Sequence, residues 1–198
     1  MTLRVPDWYT KGVEFRFSMS GHHVIDDDSF AVVRNDLTGT IRVVSGGGEL
    51  WVNPLRETLL LKSSRLISGN FFGEQSNPLG AQAVHLGDGT VFADIQGTMV
   101  VEVIPSSEEL VATRYAEAWT LLRSTIADAI VRQPCCADSD SSPRVLTLNE
   151  IATCQSQALA SAQAIAQQFG FTLLAVELSA VSLWTSEAFE QAQLATTT

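Results

Sequence analysis

The only residues of metal-ligand type that cluster in this 198-residue sequence are His22 and His23, followed by Asp26, Asp27 and Asp28. Imidazole and carboxylate together could hold a zinc ion with an open position for water, which is the equipment of a metal-dependent hydrolase. Adjacent histidines on an extended segment point to opposite faces, however, and so rarely reach one ion. The remaining histidine, His85, can approach only through the fold. A solvated turn over Gly21–Asp28 is therefore the stronger reading, and a hydrolase built on His22, His23 and His85 the weakest of the functions considered.

Other reactive residue types lack their working context. Cys135 and Cys136 are vicinal and Cys154 stands alone, whereas a zinc site wants spaced Cys-x-x-Cys pairs. Ser45-Gly46-Gly47-Gly48 lacks the Lys-Ser/Thr of a phosphate-binding loop and precedes a strand pattern rather than a helix. No Gly-x-Ser-x-Gly nucleophile turn occurs. Asp26-Asp27-Asp28 and Glu108-Glu109 read as a turn and a helix N-terminus. No catalytic, cofactor-binding or metal-binding residue is assigned, no cofactor is expected, and the chain reads as a non-enzyme.

Composition points to association instead. Hydrophobic residues make up 45% of the chain and charged residues 17%, below the quarter or so usual for soluble domains. The mean hydropathy is +0.14. Apolar surface left over after folding is expected to be covered by copies of the chain, making it a homo-oligomer. The net charge is −10, with no Lys or Arg after Arg144, which excludes nucleic acid and anionic lipid as partners held by charge alone. Three cysteines form no disulfide framework. No stretch reaches the roughly 18 apolar residues of a membrane span, and Met1–Trp8 lacks a signal-peptide core. A cytoplasmic location, or one peripheral to a membrane, follows as the expectation.

The elements that would position any site are strands first and helices later. Val13, Phe15 and Phe17 alternate as in a half-exposed strand, and Phe30–Arg34 with Thr40–Val44 forms a hairpin signal. Leu50–Val52 and Glu57–Arg65 are further strands, whereas Ile67–Ala81, with its glycines and proline, reads as an exposed loop. Val84–Leu86 and Val91–Ile104 flank Gly87-Asp88-Gly89 as a second hairpin. Ser107 is placed to cap a helix over 108–132, whose apolar stripe is Val111, Tyr115, Ala118, Leu122, Ile126 and Ala129. A polar loop over Cys135–Pro143 follows. Thr147 and Glu150 then open a helix running to Phe169, Gly170 stops it, Phe171–Leu183 is extended, and Thr185-Ser186-Glu187 begins a last helix. The expected fold is α+β: a curved, mostly antiparallel sheet in the N-terminal half, helices packed on it, then a helix-strand-helix element. The expected subdomains are 1–106 and 107–198.

In order and spacing this pattern resembles the SPFH/band-seven family of stomatin, prohibitin and flotillin. Four stretches carry the likeness: Val43–Pro54; Leu86-Gly87-Asp88-Gly89-Thr90-Val91 with Ala93–Val103; the helix 108–132; and Gly170-Phe171 with Leu173, Val176, Leu178 and Val181. The chain departs from the family at Trp184, where a proline is usual, and at Ile104-Pro105-Ser106, where the family has an acidic residue before proline. The resemblance implies a non-catalytic scaffold whose subunits pack side by side into rings or shells, organising a membrane surface or a partner protein. Trp51, Phe71 and Phe72, near glycine-rich loops, and Trp184 and Phe189, at the start of the last helix, are the candidate self-association or membrane contacts. The competing reading is a soluble interaction module that binds a partner protein without self-assembly.

Overall fold

The computed structural model describes residues 13–14, 21–70, 82–86, 89–137 and 144–196. Strands β1 (Val13–Glu14), β2 (His22–Ile25), β3 (Ser29–Asn35), β4 (Ile41–Ser45), β5 (Gly48–Trp51), β6 (Glu57–Ser64), β7 (Leu66–Asn70), β8 (Gln82–Leu86) and β9 (Gly89–Val103) come first. Helices α1 (Glu108–Val131) and α2 (Pro134–Ala137), strand β10 (Arg144–Val145), helix α3 (Leu148–Gln168), strand β11 (Phe171–Thr185) and helix α4 (Ser186–Thr196) complete the order. The fold is α+β, with antiparallel sheets, helices packed on them, and a C-terminal helix-strand-helix.

The first sheet runs β1-β6-β3-β4. Its central strand β3 is buried on both faces, as a continuous apolar run requires. Phe30 and Val32 enter the main core, while Ala31 and Val33 join Ile25, Leu50 and Val52 in a second, smaller one. The β2–β5 pair covers that second face. The segment expected as a solvated turn, Gly21–Asp28, is therefore a strand over His22–Ile25. Burial of Ile25 against Leu50 outweighs the polar turn signal, and the turn shrinks to the aspartates.

The second sheet runs β10-β11-β9-β7, with β8 also on β9. Ile67–Ala81, read as a loop, begins instead with β7: alternation across Leu66–Asn70 puts Ile67 in the core opposite Val101. The rest of that stretch, with Phe71 and Phe72, lies outside the described residues. β9 pairs with β11 from Val103↔Phe171 to Val91↔Thr185, with bulges near Leu174 and Ser179. This pairing crosses residue 106, and one hydrophobic core draws residues from both sides of it. Where the bulged strands close, a Cβ on Gly97 would lie 2.2 Å from the Glu177 carbonyl oxygen, so glycine is required there.

Helices α1 and α3 cover the inner face of this sheet. The expected α1 stripe is buried from Val111 through Ile126, joined by Trp119 and Ile130. Ser107 occupies the N-cap position, but its hydroxyl makes no cap hydrogen bond. The chain enters instead through a turn closed by Ser107 N–H on the Ile104 carbonyl, with Ser106 at φ 72°. α3 starts on the full capping box between Thr147 and Glu150. Its small residues Ala158, Ala162 and Ala166 are buried, which lets the helix lie close against α1 and β11. Gly170 ends it at φ +81°, pressed against Ser107. Within the expected polar loop after α1, Pro134–Ala137 forms one helical turn, and Cys136 Sγ donates to the Ile130 carbonyl at 3.2 Å.

One residue ties the layers together. Arg65, between β6 and β7, donates its amide to Asp28 O and accepts Val103 N–H at its carbonyl, each at 2.8 Å. Its guanidinium Nη2 reaches Glu108 Oε1, also at 2.8 Å, at the start of α1.

Candidate interaction surface

On the β2–β5 ribbon, alternation sorts the side chains by face. His22, Val24, Glu49 and Trp51 point outward; His23, Ile25 and Leu50 point toward the first sheet. The two histidines thus diverge, as the sequence pattern demands. His22 Nε2 lies 3.3 Å from Glu49 Oε2. His23 is held below the usual histidine pKa by partial burial, then by the positive charge of Lys62 and by His22. Among the described residues no group of three or more His, Cys, Asp or Glu is placed to hold a metal ion.

Trp51 is 64% exposed at the end of β5. Its carbonyl accepts from Arg42 Nη2 at 2.7 Å, and the same nitrogen reaches Glu57 Oε2 at 3.2 Å. Glu57 Oε2 also accepts the Asn53 amide at 2.8 Å. That amide, followed by Arg42, holds the Glu57 carboxyl below the usual range, against the opposing effect of partial desolvation. The turn after Trp51 is therefore fixed by charge-assisted bonds.

Two leucines that sequence reasoning missed stand on the turn after Trp51 and on the turn bonded to it. Leu55 is 90% and Leu37 71% exposed, each at the tip of a turn. Asn35 Oδ1 accepts the Leu37 and Thr38 amides at 3.0 and 3.1 Å, and Asn53 Oδ1 accepts the Leu55 amide at 3.0 Å. Asp36 N–H to Arg56 O and Thr58 Oγ1 to Asp36 Oδ2, both 2.7 Å, lash the two turns together. The available signal was a leucine set inside Asn-Asp-x-Thr-Gly and Asn-Pro-x-Arg turns, where folding gives no reason for one.

No family model matches the chain, and no curated protein matches it.

The aromatic candidates on the second sheet and α4 behave differently from Trp51. Trp184 and Phe92 pair across β11 and β9 on the face away from α1 and α3. α4 folds onto that face. The Phe189 ring stacks on Phe92 at 4.0 Å and meets Trp184 edge-on at 6.3 Å. Phe189 is only 4% exposed, so its apolar ring docks on its own chain, and Trp184 is half-buried beneath it.

The outward side of α3 is unusual in composition. Ala152, Ser156, Gln157, Ala160, Ser161 and Ala164 face solvent, and after Glu150 the helix has no charged residue. Solvent-facing helices normally carry charges on that side. Among the described residues no helix is long and apolar enough to cross a membrane.

Proposed function

We propose that the protein is a non-catalytic scaffold subunit that assembles with copies of itself, in the manner its SPFH/band-seven resemblance implies. It would work in the cytoplasm, organising a membrane surface or a partner protein. The observation that carries the reading is the outward face of α3, which combines exposure, small residues and absence of charge. Such a face does not repel a copy by charge, its small side chains allow close approach, and Ser156, Gln157 and Ser161 can hydrogen-bond across the contact. Three of the four stretches behind the resemblance pack together, since β9 and β11 pair along their length and α1 packs on β9.

Light scattering coupled to size-exclusion chromatography tests it. The expected result is a particle many times the 21.4 kDa chain mass, reduced to monomer by Ser156→Glu with Ala160→Glu. A wild-type monomer at micromolar concentration overturns it. The exposed side chains of Trp51, Leu37 and Leu55 would also serve a second reading: a soluble module that binds one partner without self-assembly. Recovery of a stoichiometric partner from the native host by a monomeric chain would decide for that reading.

A further inference from the structure

We propose that the paired turns 35–39 and 53–56, with the exposed Trp51 two residues before the second, seat the protein on a phospholipid bilayer. The inference rests on the membrane part of the function proposed above and specifies its contact. Leu55 and Leu37 are among the most exposed large apolar side chains described, and both stand at turn tips that the fold has no need to make apolar.

Entry into a membrane interface demands that backbone donors be satisfied from within. The two turns meet that demand. The Leu37 and Leu55 amides are taken by Asn35 and Asn53 side chains, the Arg56 and Glu57 amides by the Asn53 carbonyl, and the Asp36 amide by Arg56 O. Pro54 contributes no donor at all. Polar backbone already closed on itself, beneath bare leucines, suits hydrocarbon better than a protein partner, which would bring donors and acceptors of its own.

Charge does not oppose it. The apex holds Arg34, Arg42 and Arg56 against Asp36, Glu57 and, on the outward face of β5 with Trp51, Glu49, a local balance on a chain of net charge −10. Arg34 is paired with Asp36 and Arg42 with Glu57, while Arg56 makes no ion pair among the described residues and is free for a headgroup phosphate. Trp51 brings the amphipathic ring that favours the headgroup level. Two leucines and one tryptophan hold a single subunit weakly, and several subunits on one bilayer hold far more tightly.

The test is sedimentation of the full chain with phosphatidylcholine vesicles, with particle size measured on the same samples. Wild type should sediment with the vesicles. Leu37→Asp with Leu55→Asp should lower the bound fraction at least tenfold with an unchanged circular dichroism spectrum, and Leu194→Asp, on exposed α4 surface, should bind like wild type. Wild type left in the supernatant, or a double variant that binds as well as wild type, overturns the proposal. So does binding confined to phosphatidylserine vesicles and abolished by salt, which would mean charge rather than insertion. A large particle that ignores vesicles sinks this inference and spares self-assembly; a vesicle-bound monomer does the reverse.

Discussion

Arg65 and Glu108 face each other across the junction of the two sheets, with Nη2 and Oε1 2.8 Å apart. Glu108 is buried, and the Arg65 guanidinium lies 6.0 Å from the Phe30 ring centroid. The pair joins the linker between β6 and β7 to the first turn of α1, where a carboxylate also complements the helix dipole.

Breaking one side of a buried pair strands the other charge, whereas removing both can be nearly neutral. Because the Arg65 side chain keeps about a quarter of its surface exposed, Glu108→Ala should cost about 2 kcal/mol, less than for a fully buried pair, and Arg65→Met with Glu108→Leu should recover most of that loss. Urea titration reads both. A single variant as stable as wild type would show that the pair does not clamp the sheets.

Backbone conformation gives a second pair of outcomes. Ser106 sits at φ 72°, the third position of a turn that prefers glycine. Ser106→Gly should raise stability by about 0.5 kcal/mol, the relief of strain exceeding the added unfolded-state entropy. Gly170→Ala should do the opposite, since φ is +81° and the new Cβ would lie 2.6 Å from Ser107 Cβ. A loss of about 2 kcal/mol is expected from strain and overlap together. Thermal melts that rank the two variants in the reverse order would contradict this account.

Acidification should weaken the fold in two stages. His23 has a folded pKa below its ordinary value of 6.5, so unfolding releases a group that protonates more readily, and stability falls as pH drops through that range. The Glu57 and Glu150 carboxyls are also held below their usual range, Glu57 first by the Asn53 amide and Glu150 first by the Thr147 amide. Their contribution is complete above the unfolded carboxylate pKa and disappears as pH falls through the folded one. Replacing His23 with Gln should remove the upper stage only, which a series of melts between pH 8 and pH 3 would reveal.

Phe189 anchors α4 and is the one buried residue among that helix's described side chains. Phe189→Ala should free α4 while leaving β9 and β11 paired. Hydrogen exchange should then accelerate over Ser186–Ala195 by a hundredfold or more, from loss of about 3 kcal/mol of local packing. Equal acceleration in β9 would mean that α4 is part of the global core.

Local signals on the chain were legible where they needed no distant partner. Thr147 with Glu150, Gly170 and the apolar stripe of α1 each announce their element through contacts within a few residues. β7 was not legible, because its assignment rests on pairing with Val100 and Val101, more than thirty residues on, while Gly69 and Asn70 look like loop. His22–Ile25 was lost for the same reason, its partner being β5. Among the interaction candidates, Trp51 stood out as an aromatic beside glycines, but Leu37 and Leu55 acquire meaning only when Asp36 and Arg56 bring their turns together. The inward fate of Phe189 was hidden too, since its stacking partner Phe92 lies far upstream.

The long β9–β11 ladder also shapes how the polypeptide is made. Roughly seventy residues separate the end of β9 from the start of β11, several seconds of synthesis at about 5–20 residues per second. During that interval β7 and β8 line one edge of β9 while the other edge waits on the ribosome with its amides and carbonyls unclaimed. The nascent chain is thus most in need of chaperone cover midway through translation, before α3 and β11 emerge.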